Sequence, residues 1–219
     1  METKTDIYAT KLLKRRWLSR KTFEIELAKP SSFKYKPGQR ICLIYKSVDR
    51  DYSLASTPSD DGLVLCIRNV AGGALSPRLS MAPIGSRLDF TGPHGYFTFR
   101  PSPRPAIFIA TGTGIAPFCS IVRSGVTEYT LLHGVTLADD LYYHAVFRSA
   151  AKLYVPCVSE TGKASDKYFH GRVTDYLQLH LASGRYDFYL CGRQEMIRDV
   201  TFLVDEKFPE SFVYTEIYY

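Results

Sequence analysis

With 219 residues, 45% of them hydrophobic and 23% charged, the chain has the material for one large or two small globular domains. Its net charge of +6 favours acidic partners. No basic run is interleaved with aromatics as in nucleic-acid modules, and no run reaches the ~18 apolar residues of a membrane span. Five scattered cysteines (Cys42, Cys66, Cys119, Cys157 and Cys191), none at C-x-x-C spacing, argue against a disulfide framework, a structural zinc site and a clustered iron–sulfur site.

The chain opens Met1-Glu2-Thr3-Lys4 with no apolar core, so no secretory signal is expected there, and a reducing, cytoplasmic setting suits the cysteines. Lys11, Lys14, Arg15, Arg16, Arg20 and Lys21 read as a solvated basic face. Strands are predicted over Tyr8–Leu18, Thr22–Leu27, Ile41–Tyr45, Asp51–Ser56, Leu63–Val70 and Arg87–Thr91, with a short helix over Leu75–Met81. Lys36-Pro37-Gly38-Gln39 and Thr57–Gly62 supply turns. Six short strands at regular spacing predict a small antiparallel barrel over residues 1–100.

Two stretches of this half can carry chemistry. In Arg50-Asp51-Tyr52-Ser53, strand alternation puts Arg50 and Tyr52 on one face and Ser53 on the other. An Arg, an aromatic ring and a hydroxyl can hold a phosphate, stack a planar ring and bond its edge; the plain alternative is an exposed strand. Gly72-Gly73-Ala74-Leu75-Ser76 either offers backbone N–H donors to a second phosphate or is a simple hairpin connection.

Arg100-Pro101-Ser102-Pro103-Arg104-Pro105 marks the boundary to a second domain over 101–219. Strands are predicted at Ala106–Ala110, Glu128–His133, Lys152–Val158, Tyr186–Cys191 and Phe212–Ile217, alternating with helices at Ile115–Val122, Asp139–Phe147, Val173–Leu181 and Gln194–Val204. Such alternation predicts a parallel sheet covered on both faces, with ligands at the carboxyl ends of its strands. Between the first strand and helix stands Thr111-Gly112-Thr113-Gly114, either an ordinary turn or an anion site built from glycine backbone and helix N–H groups. Pro117 occupies the place of the third glycine in the common dinucleotide fingerprint, so the loop is of another kind. The other strand ends carry Ser159-Glu160, Cys191-Gly192-Arg193 and Glu216-Ile217-Tyr218-Tyr219.

Arg50-Asp51-Tyr52-Ser53 resembles the Arg-x-Tyr-Ser flavin signature of the ferredoxin–NADP reductase superfamily, and Gly92-Pro93-His94-Gly95-Tyr96-Phe97 its Gly-Pro-x-Gly-x-Phe exit from the barrel. Ala110–Pro117 is similar to its Ala-Thr-Gly-Thr-Gly-Ile-Ala-Pro nucleotide loop, Cys191-Gly192 to its Cys-Gly pair, and Glu216-Ile217-Tyr218 to its Glu-x-aromatic terminus. The resemblance implies a six-stranded Greek-key flavin barrel followed by an α/β nucleotide domain. It implies FAD, with FMN as the alternative, held by Arg50, Tyr52, Ser53 and the Gly73, Ala74, Leu75, Ser76 segment, with the Ser53 hydroxyl at flavin N5. It implies a nicotinamide nucleotide held by Thr111, Gly112, Thr113, Gly114, Ser159, Glu160, Tyr168, Cys191 and Gly192. Cys191 and Glu216 would line the nicotinamide pocket, and Tyr218 or Tyr219, with Tyr218 favoured, would cover the flavin.

In NADPH members, Ser-Arg commonly follows the third strand of this domain. Here Ser159 is followed by Glu160, which would repel a 2′-phosphate, although Lys163 and Lys167 stand close by. NADH is therefore the favoured donor over NADPH. The expected reaction is hydride transfer to bound flavin and onward transfer to a separate acidic carrier such as ferredoxin or flavodoxin. The alternatives are the reductase component of an oxygenase, a free-flavin reductase, and a flavin-binding sensor or assembly subunit without turnover.

Overall fold

The computed structural model describes residues 6–160 and 167–218. They divide into two compact units, one ending at Phe99 and the other starting at Arg100. The first unit has strands β1 (Ile7–Trp17), β2 (Thr22–Ala28), β3 (Arg40–Tyr45), β4 (Val48–Ser53), β5 (Gly62–Arg68) and β6 (Arg87–His94), with helix α1 (Ser76–Met81) between the last two. All pairings are antiparallel, in the order β4-β3-β6-β1-β2-β5. The two ends of that order meet where Leu54 bridges Leu65 and the Ala55 amide donates to the Val64 carbonyl at 2.8 Å. The sheet thus closes into the six-stranded barrel expected from the strand pattern.

Alternation explains the closure. In β2, Phe23, Ile25 and Leu27 point inward, while Glu24 and Glu26 face out and pair with Arg16 and Lys14 of β1 at 3.0 and 2.9 Å. The barrel interior is filled by Leu12, Phe33, Ile41, Leu43, Leu65 and Phe90, with Phe33 meeting Phe90 edge-on at 4.9 Å. Burial of side chains this size contributes about 2–3 kcal/mol each.

The second unit alternates β7 (Ala106–Thr111), α2 (Ala116–Arg123), β8 (Tyr129–Val135), α3 (His144–Ala150), β9 (Leu153–Val158), β10 (Phe169–His170), α4 (Val173–His180), β11 (Asp187–Arg193), α5 (Gln194–Lys207) and β12 (Phe212–Tyr218). Every pairing is parallel, in the order β10-β9-β8-β7-β11-β12. The carboxyl ends of all six strands therefore lie along one edge. The segment after Arg100 is fastened to this sheet: the Arg100 amide donates to the Tyr189 hydroxyl at 3.1 Å, and Arg104 sits over the Phe212 ring at 4.3 Å. No helix among the described residues is long and apolar enough to cross a membrane.

Several elements depart from the sequence reading. The strand expected over Asp51–Ser56 runs instead over Val48–Ser53; it starts early because Lys46 and Ser47 both take left-handed backbone (φ 52° and 59°) and turn a tight hairpin without a glycine. The helix expected over Asp139–Phe147 splits into a 3₁₀ turn at Ala138–Asp140 and α3, which begins only after left-handed Tyr143 (φ 57°). The two-residue strand β10 had no counterpart in the pattern, being too short to show a period.

Candidate functional site

On the barrel, the hairpin at Lys46-Ser47 delivers β4 with Arg50 exposed, Tyr52 half-buried against the barrel core, and Ser53 buried on the opposite side. The Arg50 guanidinium rests on the Asp49 carbonyl at 2.7 Å and points outward. Burial pushes the Tyr52 phenol up to about 12, against the downward pull of Arg50, so this ring stays neutral. Ser53 Oγ is buried and has no hydrogen-bond partner among the described residues. A buried hydroxyl left this way costs about 1–3 kcal/mol, so the site fits a ligand that bonds it.

The second barrel segment folds tightly before α1. The Gly73 amide donates to the Val70 carbonyl at 2.9 Å, and the Val70 amide donates to Ser76 Oγ at 3.0 Å. A Cβ on Gly73 would come within 2.9 Å of the Val70 carbonyl oxygen, which is why glycine stands there. Ala74 is exposed, while Leu75 and Ser76 are buried. Pro77 in the first turn of α1 has no N–H and the Gly73 amide is already bonded, which leaves the amides of Ala74, Leu75 and Ser76 as the turn's candidate donors.

In the second unit, β7 runs into a 3₁₀ turn at Gly112–Ile115 and then α2, which has Pro117 in its first turn where no amide is needed. Gly112 is left-handed (φ +53°) with open space around its Cβ position. Gly114 differs: a Cβ there would overlap the Cys191 carbonyl and lie 2.8 Å from Gly192 Cα. The loop is thus pressed directly onto the end of β11, and two of the sequence-predicted segments, Thr111–Gly114 and Cys191-Gly192, form one structure. Thr111 Oγ1 accepts the Arg193 amide at 3.0 Å, a tie that the sequence reading did not anticipate.

Cys191, Glu216 and Tyr218 also come together. Cys191 stands opposite Glu216 and Arg193 opposite Tyr218 in the β11–β12 register. Cys191 is fully buried; burial pushes its thiol well above the usual range, the Glu216 carboxylate pushes the same way, and the Tyr218 hydroxyl partly offsets both by bonding the sulfur. A neutral thiol, a carboxylate and a phenol therefore share one corner.

Ser159 and Glu160 follow β9, both exposed, with their amides donating to the carbonyls of Val135 and Thr136 at 3.0 Å each. Lys167 is exposed, and half-buried Tyr168 lies near enough to Tyr154 to raise its phenol further. Lys163 and Tyr219 lie outside the described residues. One residue that the sequence reading passed over joins the site: His133 on β8, fully buried, with Nε2 3.3 Å from the Gly112 carbonyl oxygen. Its signal was a polar residue inside the apolar run Leu131-Leu132-His133, which by itself reads as core.

Residues 10–99 match the oxidoreductase FAD-binding domain family and residues 108–201 the oxidoreductase NAD-binding domain family. The chain is 32% identical over 202 residues to the toluate 1,2-dioxygenase electron transfer component of Pseudomonas putida, a match covering 85% of this chain and 60% of that protein. It spans little more than half the length of the curated relatives it matches. Among solved structures it is similar to the cytochrome P450 reductase GcoB of Amycolatopsis, with a TM-score of 0.85 and 26% identity over 97% of this chain and 70% of that one. It has the fold of a ferredoxin NADP+ reductase from Neisseria gonorrhoeae solved with FAD and NADP, with a TM-score of 0.86 and 20% identity over 96% of this chain and 98% of that one. With the FAD-binding and NAD-binding families matched in order along most of its length, the chain belongs to the ferredoxin–NADP reductase superfamily.

Proposed function

We propose that the chain takes a hydride from a nicotinamide dinucleotide, NADH in preference to NADPH, onto bound FAD and delivers electrons to an acceptor outside residues 1–219. The observation that carries this reading is the orphaned Ser53 hydroxyl at the end of the Arg50-x-Tyr52-Ser53 strand, together with the glycine loop packed onto Cys191-Gly192.

FAD would be held by Arg50 and the Gly73–Ser76 turn at its phosphates, and by Tyr52 and Ser53 at its ring. When bound, flavin supplies a two-electron acceptor. Ser53 donates its hydroxyl proton to a hydrogen bond, as its burial without a partner calls for. The backbone of Thr111–Gly114 binds the dinucleotide phosphates, because glycine lets the main chain approach them and α2 begins there. Cys191, kept a neutral thiol, and Glu216 bound the nicotinamide pocket, and Tyr218 yields its space to the entering ring. Glu160, exposed after β9, disfavours a 2′-phosphate and supports NADH. Anaerobic titration with NADH and NADPH in parallel tests all of this: flavin bleaching is expected at lower NADH than NADPH, and no bleaching with either overturns the reading.

The acceptor is proposed to be acidic. Residues 1–99 hold 16 Lys and Arg against 9 Asp and Glu, while residues 100–219 hold 12 against 13, so the positive excess belongs to the flavin-binding half. That suits a ferredoxin- or flavodoxin-like carrier drawn in by charge. The names of the similar electron transfer component and P450 reductase favour a second reading, the reductase part of an oxygenase system. A cytoplasmic location is proposed on five cysteines that form no disulfide, four of them buried.

A further inference from the structure

His133 is a buried titratable group to which the mechanism above gives no task. Its ring lies between two partners: Nε2 is 3.3 Å from the Gly112 carbonyl oxygen, and Nδ1 is 3.4 Å from the Tyr154 hydroxyl. A carbonyl can only accept, so the proton sits on Nε2. Nδ1 then carries the lone pair, and the Tyr154 hydroxyl donates to it. The two contacts together select one neutral tautomer. Burial holds the imidazole down to about 4, outweighing the Gly112 carbonyl and Asp140, which pull it up; His144 adds to the downward push. The groups around the ring are thus Gly112 from the loop, Asp140 from the turn before α3, His144 at the start of α3, and Tyr154 from β9.

The position of the contact gives it meaning. Gly112 is left-handed, and apart from its own neighbours along the chain no atom lies within 4 Å of its Cβ position. Such a residue has wide freedom, and its peptide plane needs an anchor. The Gly112 carbonyl and the Thr113 N–H belong to one rigid planar unit and point in opposite directions. Holding the carbonyl toward β8 turns the Thr113 N–H away from β8, to the open side of the loop. A leucine would fill the same core space without the cost of burying an imidazole.

We propose that His133 is the positioning residue of the dinucleotide loop: its Nε2–H fixes the Gly112–Thr113 peptide so that the Thr113 amide faces the incoming phosphate. The proposal rests on the reading of Thr111–Gly114 as that loop.

The test uses flavin-loaded protein and ADP-ribose, which carries the pyrophosphate but no nicotinamide, with binding measured by calorimetry. His133→Leu is expected to weaken ADP-ribose by about tenfold, one hydrogen bond's worth, with flavin content unchanged. His133→Gln, whose side-chain amide can donate to the same carbonyl, should recover most of that loss. In the unaltered protein, the imidazole ¹⁵N spectrum at neutral pH should show the Nε2–H tautomer. Equal affinity in the wild type and His133→Leu overturns the proposal, as does equal loss in the Leu and Gln variants, which would mark a packing role. An Nδ1–H tautomer overturns it even if His133→Leu fails to fold. Absence of ADP-ribose binding by the wild type, with the Nε2–H tautomer present, overturns the dinucleotide reading of the loop and, with it, the role given to His133.

Discussion

Gly114 lies against the Cys191 carbonyl so closely that a methyl group on it would occupy the carbonyl's place. The obstacle is backbone on both sides, the Cys191 carbonyl carbon at 2.7 Å and Gly192 Cα at 2.8 Å, and no flexible side-chain end can move out of the way. Gly112, two residues earlier, has a left-handed φ but open space. Gly112→Ala is therefore expected to cost roughly 1–2 kcal/mol, the penalty of a left-handed alanine. Gly114→Ala is expected to cost about 3 kcal/mol or more, because the loop must leave β11. Urea denaturation of both variants checks the order, and a Gly112 variant less stable than the Gly114 variant would refute the packing argument.

The buried imidazole makes a pH prediction. His133 is lowered to about 4 in the folded protein, against 6.5 for the ordinary group. Between those values the unfolded chain binds a proton that the folded chain does not, so stability rises with pH there. The contribution is complete above about pH 6.5 and is lost as pH falls toward 4, on the order of 3 kcal/mol in all. Thermal unfolding from pH 7 to pH 4 should show a steep acid limb in the wild type that is shallower in His133→Gln. Parallel limbs in the two proteins would mean the ring is protonated without cost.

How the sequence discloses this site depends on the kind of information each residue carries. Alternating apolar residues such as Phe23, Ile25 and Leu27 record the barrel faces because strand geometry is local. Short apolar runs such as Ala106–Ala110, bounded by glycine or proline, record parallel strands for the same reason. The Lys46-Ser47 hairpin and the left-handed Tyr143 leave no such mark, since no glycine stands at these positions to signal a left-handed backbone. The ties of Thr111 to Arg193 and of His133 to Gly112 join residues 82 and 21 positions apart, and only the folded sheet brings them together. Glycine motifs were legible as a loop; that Gly114 is needed for contact with β11 was not.

Ser53→Ala separates the cost of an orphaned hydroxyl from its use. Without flavin, the variant should be as stable as the wild type or up to about 1–3 kcal/mol more stable, because a buried hydroxyl with no partner among the described residues is replaced by a methyl group. With flavin bound, bleaching by NADH should slow by at least about tenfold, the lower end for removing a positioned donor. Stopped-flow absorbance on the loaded protein and denaturation of the flavin-free protein supply the two halves. An unchanged bleaching rate would remove Ser53 from the site.

Tyr218 is half-buried at the end of β12, and its hydroxyl bonds Cys191. If the ring fills space that the nicotinamide needs, each binding event must first displace it, and the apparent affinity falls by the fraction of time the space is open. Tyr218→Ser is expected to tighten NAD+ about tenfold, while Tyr218→Phe, which keeps the ring, should leave affinity near the wild-type value. Equal affinity in all three proteins by equilibrium titration would show that the ring does not stand in the way.

The distribution of charge predicts how the acceptor is met. With the positive excess confined to residues 1–99, the acidic carrier proposed above would be steered toward the flavin-binding half over a distance set by the Debye length. That length falls from about 30 Å at 0.01 M salt to about 8 Å at 0.15 M. The bimolecular rate of ferredoxin or flavodoxin reduction should therefore drop by about tenfold or more across this range. Flavin bleaching at saturating NADH, which involves no protein encounter, should hold steady. Reduction of a small neutral acceptor should be nearly flat as well. A carrier rate as insensitive to salt as the neutral acceptor's would assign the excess charge to some other purpose and favour a docking surface built on apolar contact.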